Sequence, residues 1–153
     1  MRSLICALLV ATPFLFGAQE QKVRWQRIYS GDDSFIEMES TKVTFGSPSI
    51  GRVRFRTIYS KPQALDEKAL SYKTRVETIE FKCELNSLEN EWHPINATRY
   101  RLFEGALLDT SGRAIKKLDW DPSVDWKEVR FGTMMEKLSI PACKLIQEKT
   151  KRR

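Results

Sequence analysis

The chain has 153 residues, and its 26 lysines and arginines against 20 aspartates and glutamates give a net charge of +6. This length suits one domain and leaves no room for a large second one. The modest positive charge favours acidic partners without identifying any of them. The sequence contains no internal repeat and no low-complexity linker.

Residues 1–18 have the pattern of a secretory signal peptide. Arg2 supplies a positive start, and an almost unbroken apolar run follows over residues 4–16. That run is shorter than the roughly 20 residues of a membrane-spanning helix, so the chain is predicted not to be transmembrane. An N-terminal helix that stays in the fold is the alternative. We therefore predict export to the periplasm, the cell surface or the medium, with a mature domain at 19–147, a basic tail at 148–153 and an exact cleavage bond that stays open.

The cysteines that would remain after export favour an oxidising compartment outside the cytoplasm. Export would remove Cys6 and leave Cys83 and Cys143. Two thiols in an oxidising compartment most often pair, so a disulfide is predicted. Two free thiols or an intermolecular bridge are the alternatives.

Strands are predicted along most of the mature chain, because branched and aromatic residues recur there with period two. The clearest alternation places Val53 and Phe55 opposite a set of arginines, as in a half-buried strand of an antiparallel sheet. The loop composition of 46–51 and the polar stretch 61–69 predict connections. The predicted strands are 23–29, 34–39, 41–45, 52–59, 71–85, 97–109 and 113–120, with a tight turn at 109–112.

A short helix is predicted near the C-terminus, where the period changes. Thr133 and Glu136 have the spacing of a capping box, in which each side chain satisfies a free backbone amide. Pro141 is expected to limit this helix to about two turns. Cys143 would then lie just beyond the end of the helix.

Several short motifs occur in a fixed order over residues 24–146. They are WQRI at 25–28, SYK at 71–73 leading into EFKC at 80–83, YRL at 100–102, the turn residues Asp109 and Gly112, WKEV at 126–129, and GTMMEKL at 132–138 before Ala142 and Cys143. With these motifs the chain resembles the surface-adhesin protein E family, small exported β-rich domains of Gram-negative bacteria. The resemblance implies an α+β fold, namely a mainly antiparallel sheet of about six strands with a short C-terminal helix and a disulfide from the sheet to that helix. It also suggests adhesion to host matrix, which is the role of the family's named member.

Arginines supply the first candidate binding surface. Three of them share one side of the strand 52–59 and are candidate partner-binding residues: Arg52, Arg54 and Arg56. If the strand that carries Arg99 and Arg101 is its neighbour, they would together form a basic stripe able to hold heparin-like or phospholipid anions. A solvated sheet face with Glu or Asp partners is the alternative. The export signal argues against nucleic acid as the partner.

Trp92 is the second candidate partner-binding residue. It lies in the segment 86–97, within an insertion relative to the resembled family and next to Pro94 and Ile95. Exposed tryptophans are favoured anchors in interfaces. This segment is therefore predicted to contact a partner.

Catalytic motifs do not emerge from the sequence. His93 is the single histidine, and no cysteine pair has metal-ligand spacing. The sequence around carboxylates such as Asp32 and Asp33 is typical of solvated turns and not of an apolar pocket. We therefore predict no enzyme activity, no cofactor and no metal site.

These observations lead to two functional hypotheses. The first is a noncatalytic exported binding module of the bacterial envelope, which adheres to a host matrix protein or an envelope component through a sheet face and the 86–97 loop. The alternative is a periplasmic structural or envelope-maintenance protein without a host ligand. In either case an unpaired sheet edge would allow two copies to pair as a homodimer.

Overall fold

The computed structural model describes residues 22–47, 50–65, 70–83, 98–119, 123 and 125–152. In this part of the chain, eight strands form one antiparallel sheet and one helix follows. The strands are β1 (Trp25–Ser30), β2 (Ser34–Glu39), β3 (Thr44–Ser47), β4 (Ile50–Leu65), β5 (Leu70–Lys82), β6 (Arg99–Leu108), β7 (Ala114–Asp119) and β8 (Lys127–Glu128), and the helix α1 is Met134–Thr150. The α+β class is confirmed, but the count of about six strands is wrong. The very short β8 forms by pairing with β6, which a local pattern does not reveal, whereas β3 overlaps the predicted strand 41–45.

The strands follow a simple spatial order. The main path through the sheet is β1-β2-β4-β5-β6-β7. Strand β3 pairs with the beginning of β4 beside β2, and β8 pairs with the beginning of β6 beside β7. Most strands therefore pair with a neighbour in sequence, and β4, β5 and β6 form the centre of the sheet.

Strands β4 and β5 are longer than the local composition predicts. Ile50 and Gly51 already pair with β5, and β4 continues to Leu65, so the loops predicted at 46–51 and 61–69 are wrong over these residues. An irregularity between Ile58 and Gln63 interrupts the ladder before it resumes. The ladder resumes with Gln63, Ala64 and Leu65 opposite β5, so pairing over these residues outweighs the loop-like composition of the segment.

The core lies between α1 and one face of the sheet. Val53 and Phe55 of β4 are buried there, as the alternation predicts, and they pack with a cluster that includes Leu138 and Ile146 of the helix. A Cβ atom added to Gly51 would lie 2.4 Å from Cγ1 of Ile146. The helix can therefore approach β4 this closely only because residue 51 has no side chain.

A disulfide joins Cys83, directly after β5, to Cys143 of the helix, with Cα atoms 5.7 Å apart. The predicted pairing is confirmed. The predicted two-turn helix is wrong, because α1 continues through Pro141 for 17 residues and Cys143 lies within it. Buried side chains on both sides of the proline, including Leu138 and Leu145, hold the helix on the sheet. Tertiary packing and the disulfide thus outweigh the amide hydrogen bond that proline removes.

The start of α1 agrees with the sequence. Thr133 is the N-cap, and its Oγ1 accepts a hydrogen bond of 3.3 Å from the backbone amide of Glu136. The Glu136 carboxylate accepts from the amide of Gly132 at 2.8 Å, one residue before the position that a standard capping box uses. No helix in the described ranges is both long enough and apolar enough to cross a membrane.

Candidate functional site: the open sheet face

The open face is the side of the sheet opposite to α1. Alternation along β4 decides which residues lie there, because successive side chains of a strand point to opposite faces. Val53 and Phe55 face the helix, so Arg52, Arg54 and Arg56 lie on the open face. The structure thus brings the three predicted arginines together on one exposed surface.

Glu37 of β2 organises one end of this surface. Its Oε2 accepts a hydrogen bond of 2.6 Å from Nε of Arg56, and its Oε1 lies 3.6 Å from Nη2 of Arg27 on β1. The register explains the grouping, since Glu37 lies directly between Arg27 and Arg56 on the neighbouring strands. Two guanidinium groups therefore share one carboxylate.

Glu80 of β5 organises the other end of this surface, where it also binds two arginines. Its Oε1 accepts a hydrogen bond of 2.6 Å from Nε of Arg52, and its Oε2 accepts one from Nε of Arg101 on β6. The Glu80 side chain is only 1% exposed, whereas the two arginine side chains are about a quarter exposed. A buried carboxylate needs such partners, because desolvation without them would be costly.

The basic stripe was conditional on the strands of Arg52 and Arg101 being neighbours, and this condition is not met. The two strands are not neighbours, because β5 lies between them. Glu80 nevertheless links Arg52 to Arg101 across β5, so the two strands contribute to one charged surface. Arg99 does not join it, and its acidic partner among the described residues is Glu128 of β8, at 4.0 Å.

Aromatic rings support the same arginines. We call Arg27, Arg52, Arg54, Arg56 and Arg101 the arginine cluster. Each lies over a ring: Arg27 over Phe35 and Arg52 over Phe103 at 3.7 Å, Arg101 over Trp126 at 4.8 Å, and Arg56 and Arg54 over Trp25 at 4.4 and 5.9 Å. Such a contact contributes about 0.5–1 kcal/mol at an exposed site and restricts the side chain. The guanidinium groups are therefore held in place before any ligand arrives.

Arg54 differs from its neighbours in the arginine cluster. It is exposed, and it forms no salt bridge with any residue in the described ranges. Its position along β4, midway between Arg52 and Arg56, places it between the two arginine–glutamate–arginine groups. Arg54 is thus the member of the cluster whose charge is least compensated.

A groove of about 790 Å³ crosses the open face at Arg54. Its lining includes four cationic residues, Lys42, Arg52, Arg54 and Lys117, two acidic ones, Glu39 and Glu104, and an apolar group formed by Val76, Ala106 and Leu108. Phe103 also lines the groove, and it is the extra residue where the register of β6 shifts against β5. Bulges commonly redirect a side chain in this way.

A second polar cluster lies on the helix side of the sheet. Nη2 of Arg75 donates to Glu77 at 2.6 Å, and the rings of Tyr59 and Tyr72 meet edge to face with centroids 5.6 Å apart. Burial, followed by the influence of Tyr72, raises the pKa of Tyr59 above its ordinary value. Burial opposes the charge of Arg75, but its hydrogen bond and ion pair with Glu77 outweigh burial and raise the pKa of Arg75.

The remaining predictions about the site are not settled by these contacts. Trp92 and the 86–97 segment lie outside the described residues, as does His93. Within the described ranges, no group of three or more His, Cys, Asp or Glu side chains could hold a metal ion. The absence of catalysis stays a prediction from the sequence.

Sequence reasoning missed the two glutamates and Arg27. Glu37 and Glu80 carry no local signal, because their importance comes from strands that flank them in space. Only the register of the sheet shows that each one serves two arginines. Comparison of the chain with family models, curated proteins and solved structures found no match. The resemblance to the protein E family therefore rests on the sequence motifs alone.

Proposed function

We propose that this protein is a noncatalytic exported binding module of the bacterial envelope, and that its open face recognises an anionic macromolecule. The observation that carries the proposal is the balance of charge on the open face, where the arginine cluster with Lys42 and Lys117 provides seven cationic side chains against four carboxylates among the described side chains, Glu37, Glu39, Glu80 and Glu104. Positive charge is therefore in excess on this exposed surface. Such a surface raises the local concentration of anions and favours their association.

The geometry of the two glutamate groups supports anion binding. The carboxylates accept hydrogen bonds from Nε of Arg52, Arg56 and Arg101, and Nη2 of Arg56 also lies 2.6 Å from Oε2 of Glu37. The planar guanidinium fork carries further N–H donors that match carboxylate, sulfate and phosphate oxygens. Because rings and carboxylates restrict the arginines, a ligand would lose less free energy in ordering them.

The proposal makes Arg54 the test residue. A heparin column with a salt gradient serves as the first assay, with heparin as a model polyanion. The Arg54→Gln variant should elute at lower salt, with affinity weakened roughly twofold to fivefold, the range of an exposed ion pair. Arg54→Lys should retain part of the interaction, since it keeps the charge but loses the fork.

Arg130→Gln is the matched control. Arg130 is exposed, lies just before the turn that leads into α1 and is not part of the arginine cluster, so the change removes the same charge away from the open face. We expect Arg130→Gln to elute close to the unmodified protein. Equal shifts for the two variants would mean that only net charge matters, and failure of the unmodified protein to be retained at physiological salt would reject the proposal.

Export of the protein and its final location need a separate experiment. Whole cells treated with protease should lose the protein if it is on the outer surface and keep it if it is periplasmic. Recovery of an uncleaved chain from the cytosol would contradict the exported module. A periplasmic protein that ignores polyanions would instead favour the envelope-maintenance alternative.

A further inference from the structure

The groove on the open face has an extended shape that suggests a particular kind of ligand. Its lining runs from Lys42 and Thr44 on one side, past Arg54, to Lys117 of β7 on the other. From β3 to β7 there are four interstrand spacings, which is about 19 Å. The cationic residues are therefore distributed along the groove rather than gathered around one point.

The two arginine–glutamate–arginine groups lie on opposite sides of Arg54 along β4. Arg52 and Arg56 are each two residues away from Arg54, so their Cα atoms are about 7 Å from it along the strand. A chain that crosses the strands at Arg54 would pass between the two groups. It would contact Lys42 and Arg54 near one end and Lys117 near the other, because β4 is one interstrand spacing from β3 and three from β7.

The floor of the groove is partly apolar. Val76, Ala106 and Leu108 lie on the side towards β7, and Val76 is 9% exposed. Cationic residues beside a small apolar floor suit a chain that carries charged groups on rings or segments with an apolar side. Sulfated sugar rings have this character, because the sulfates project from a ring whose C–H groups form an apolar surface.

From these features we infer that the groove binds a linear sulfated polysaccharide, laid across β4, β5 and β6. This inference rests on the proposed function and assigns the class of its ligand. Arg54 contacts a sulfate group near one end of the bound chain. Lys117 of β7, three interstrand spacings away, is an outer contact that only a long chain can reach.

Two other polyanions fit the groove less well. An acidic peptide usually gains affinity by pairing its backbone with a strand edge, whereas this groove lies on a sheet face whose backbone groups are already paired. A lipid bilayer is flat, whereas Arg54 lies within a concave surface. Both remain outcomes of the test below.

The experiment measures the affinity of the mature protein for heparin fragments of increasing length, from disaccharide to decasaccharide, by calorimetry. We expect affinity to rise with length by at least tenfold and to reach a plateau once the fragment spans the groove. Lys117→Gln should weaken the longest fragment twofold to fivefold and leave the disaccharide unchanged. Lys144→Gln, which removes one exposed charge from α1, is the matched control and should alter neither.

Each contrary result identifies what has failed. If disaccharide and decasaccharide bind equally, or if Lys117→Gln behaves like Lys144→Gln, the extended groove is rejected, while a surviving effect of Arg54→Gln would keep the proposed function. If poly-L-glutamate or vesicles containing phosphatidylglycerol bind more tightly than the decasaccharide, the polysaccharide assignment is rejected. If Arg54→Gln has no effect on any of these probes, the proposed function fails as well.

Discussion

The two faces of the sheet use the same strands for opposite purposes. On the helix side, Val53 and Phe55 of β4 are buried, and their contribution to stability comes from apolar area removed from water. On the open side, Arg52 and Arg56 remain partly exposed and are held by carboxylates and rings. The helix face therefore fixes the fold, and the open face is free to carry charge.

This division has a consequence for substitutions. Changes on the helix face should alter the free energy of unfolding and leave anion binding intact wherever the protein stays folded. Changes at exposed open-face residues such as Arg54 should do the reverse, with an effect on stability within about 0.5 kcal/mol. Each prediction below tests how cleanly the two faces separate.

Loss of the disulfide should produce the largest effect. The bond closes a loop of 60 residues between Cys83 and Cys143. In the chain-entropy model, a loop of this length stabilises the fold by about 4 kcal/mol. The double variant Cys83→Ala/Cys143→Ala should lose about that much in guanidinium denaturation and should still bind heparin under conditions where it remains folded.

Chemical reduction provides the control for that variant. The unmodified protein in excess reductant should match the double variant, whereas the double variant should not respond to reductant. A difference below about 1 kcal/mol would show that packing of α1 alone holds the helix, since it lies far under the loop-closure value. Loss of heparin binding by a variant shown to be folded would contradict the separation of the two faces.

Gly51→Ala should have the next largest effect. The new Cβ would lie 2.4 Å from Cγ1 and 2.6 Å from Cδ1 of Ile146, so the helix or the Ile146 side chain must move. Overpacking of this kind typically costs about 1–3 kcal/mol. Urea denaturation should report that loss, while the salt at which the protein leaves the heparin column should not change.

Gly46→Ala is the matched control for Gly51→Ala. The nearest atom to a Cβ at residue 46 is Oε1 of Glu80 at 3.5 Å, an ordinary contact distance, so we expect no loss of stability. Combining Gly51→Ala with Ile146→Ala removes the clash, and the double variant should cost less than the sum of the two single variants. Additive costs would show that the close approach of Ile146 is not the cause.

The faces also differ in how far the sequence predicts them. Period two along 52–59 was enough to place Val53 with the core and the arginines opposite, because each strand reports its own alternation. The pairing of one strand with another is not predicted by this alternation. Which glutamate meets which arginine depends on register, and nothing local to Glu80 indicates that β5 separates Arg52 from Arg101.

The helix shows the same limit. Its beginning was predictable, because Thr133 and Glu136 act through hydrogen bonds within one turn. Its end was not, because Pro141 is a strong local signal that distant contacts outweigh. The disulfide to Cys83 and the packing of Ile146 against Gly51 both lie beyond the proline and hold the second half of the helix.

Titration of Tyr59 should give the smallest effect. Burial first, and then Tyr72, raises the pKa of Tyr59, so the folded protein holds this proton more tightly than the unfolded chain. The resulting stabilisation is complete below the unfolded value of about 10 and is lost as the pH rises through the higher folded pKa. Phenolate absorbance of the unmodified protein minus that of Tyr59→Phe should therefore give a pKa above 10.

Tyr72, the neighbour of Tyr59, allows the two causes of the raised pKa to be separated. In Tyr72→Phe the neighbouring hydroxyl is gone, so the pKa of Tyr59 should move back towards its ordinary value while burial still keeps it raised. Both tyrosines lie outside the groove on the open face, so heparin binding should not change in either variant. A pKa of Tyr59 at or below the ordinary value would show that water reaches this end of the helix side and that burial does not extend to Tyr59.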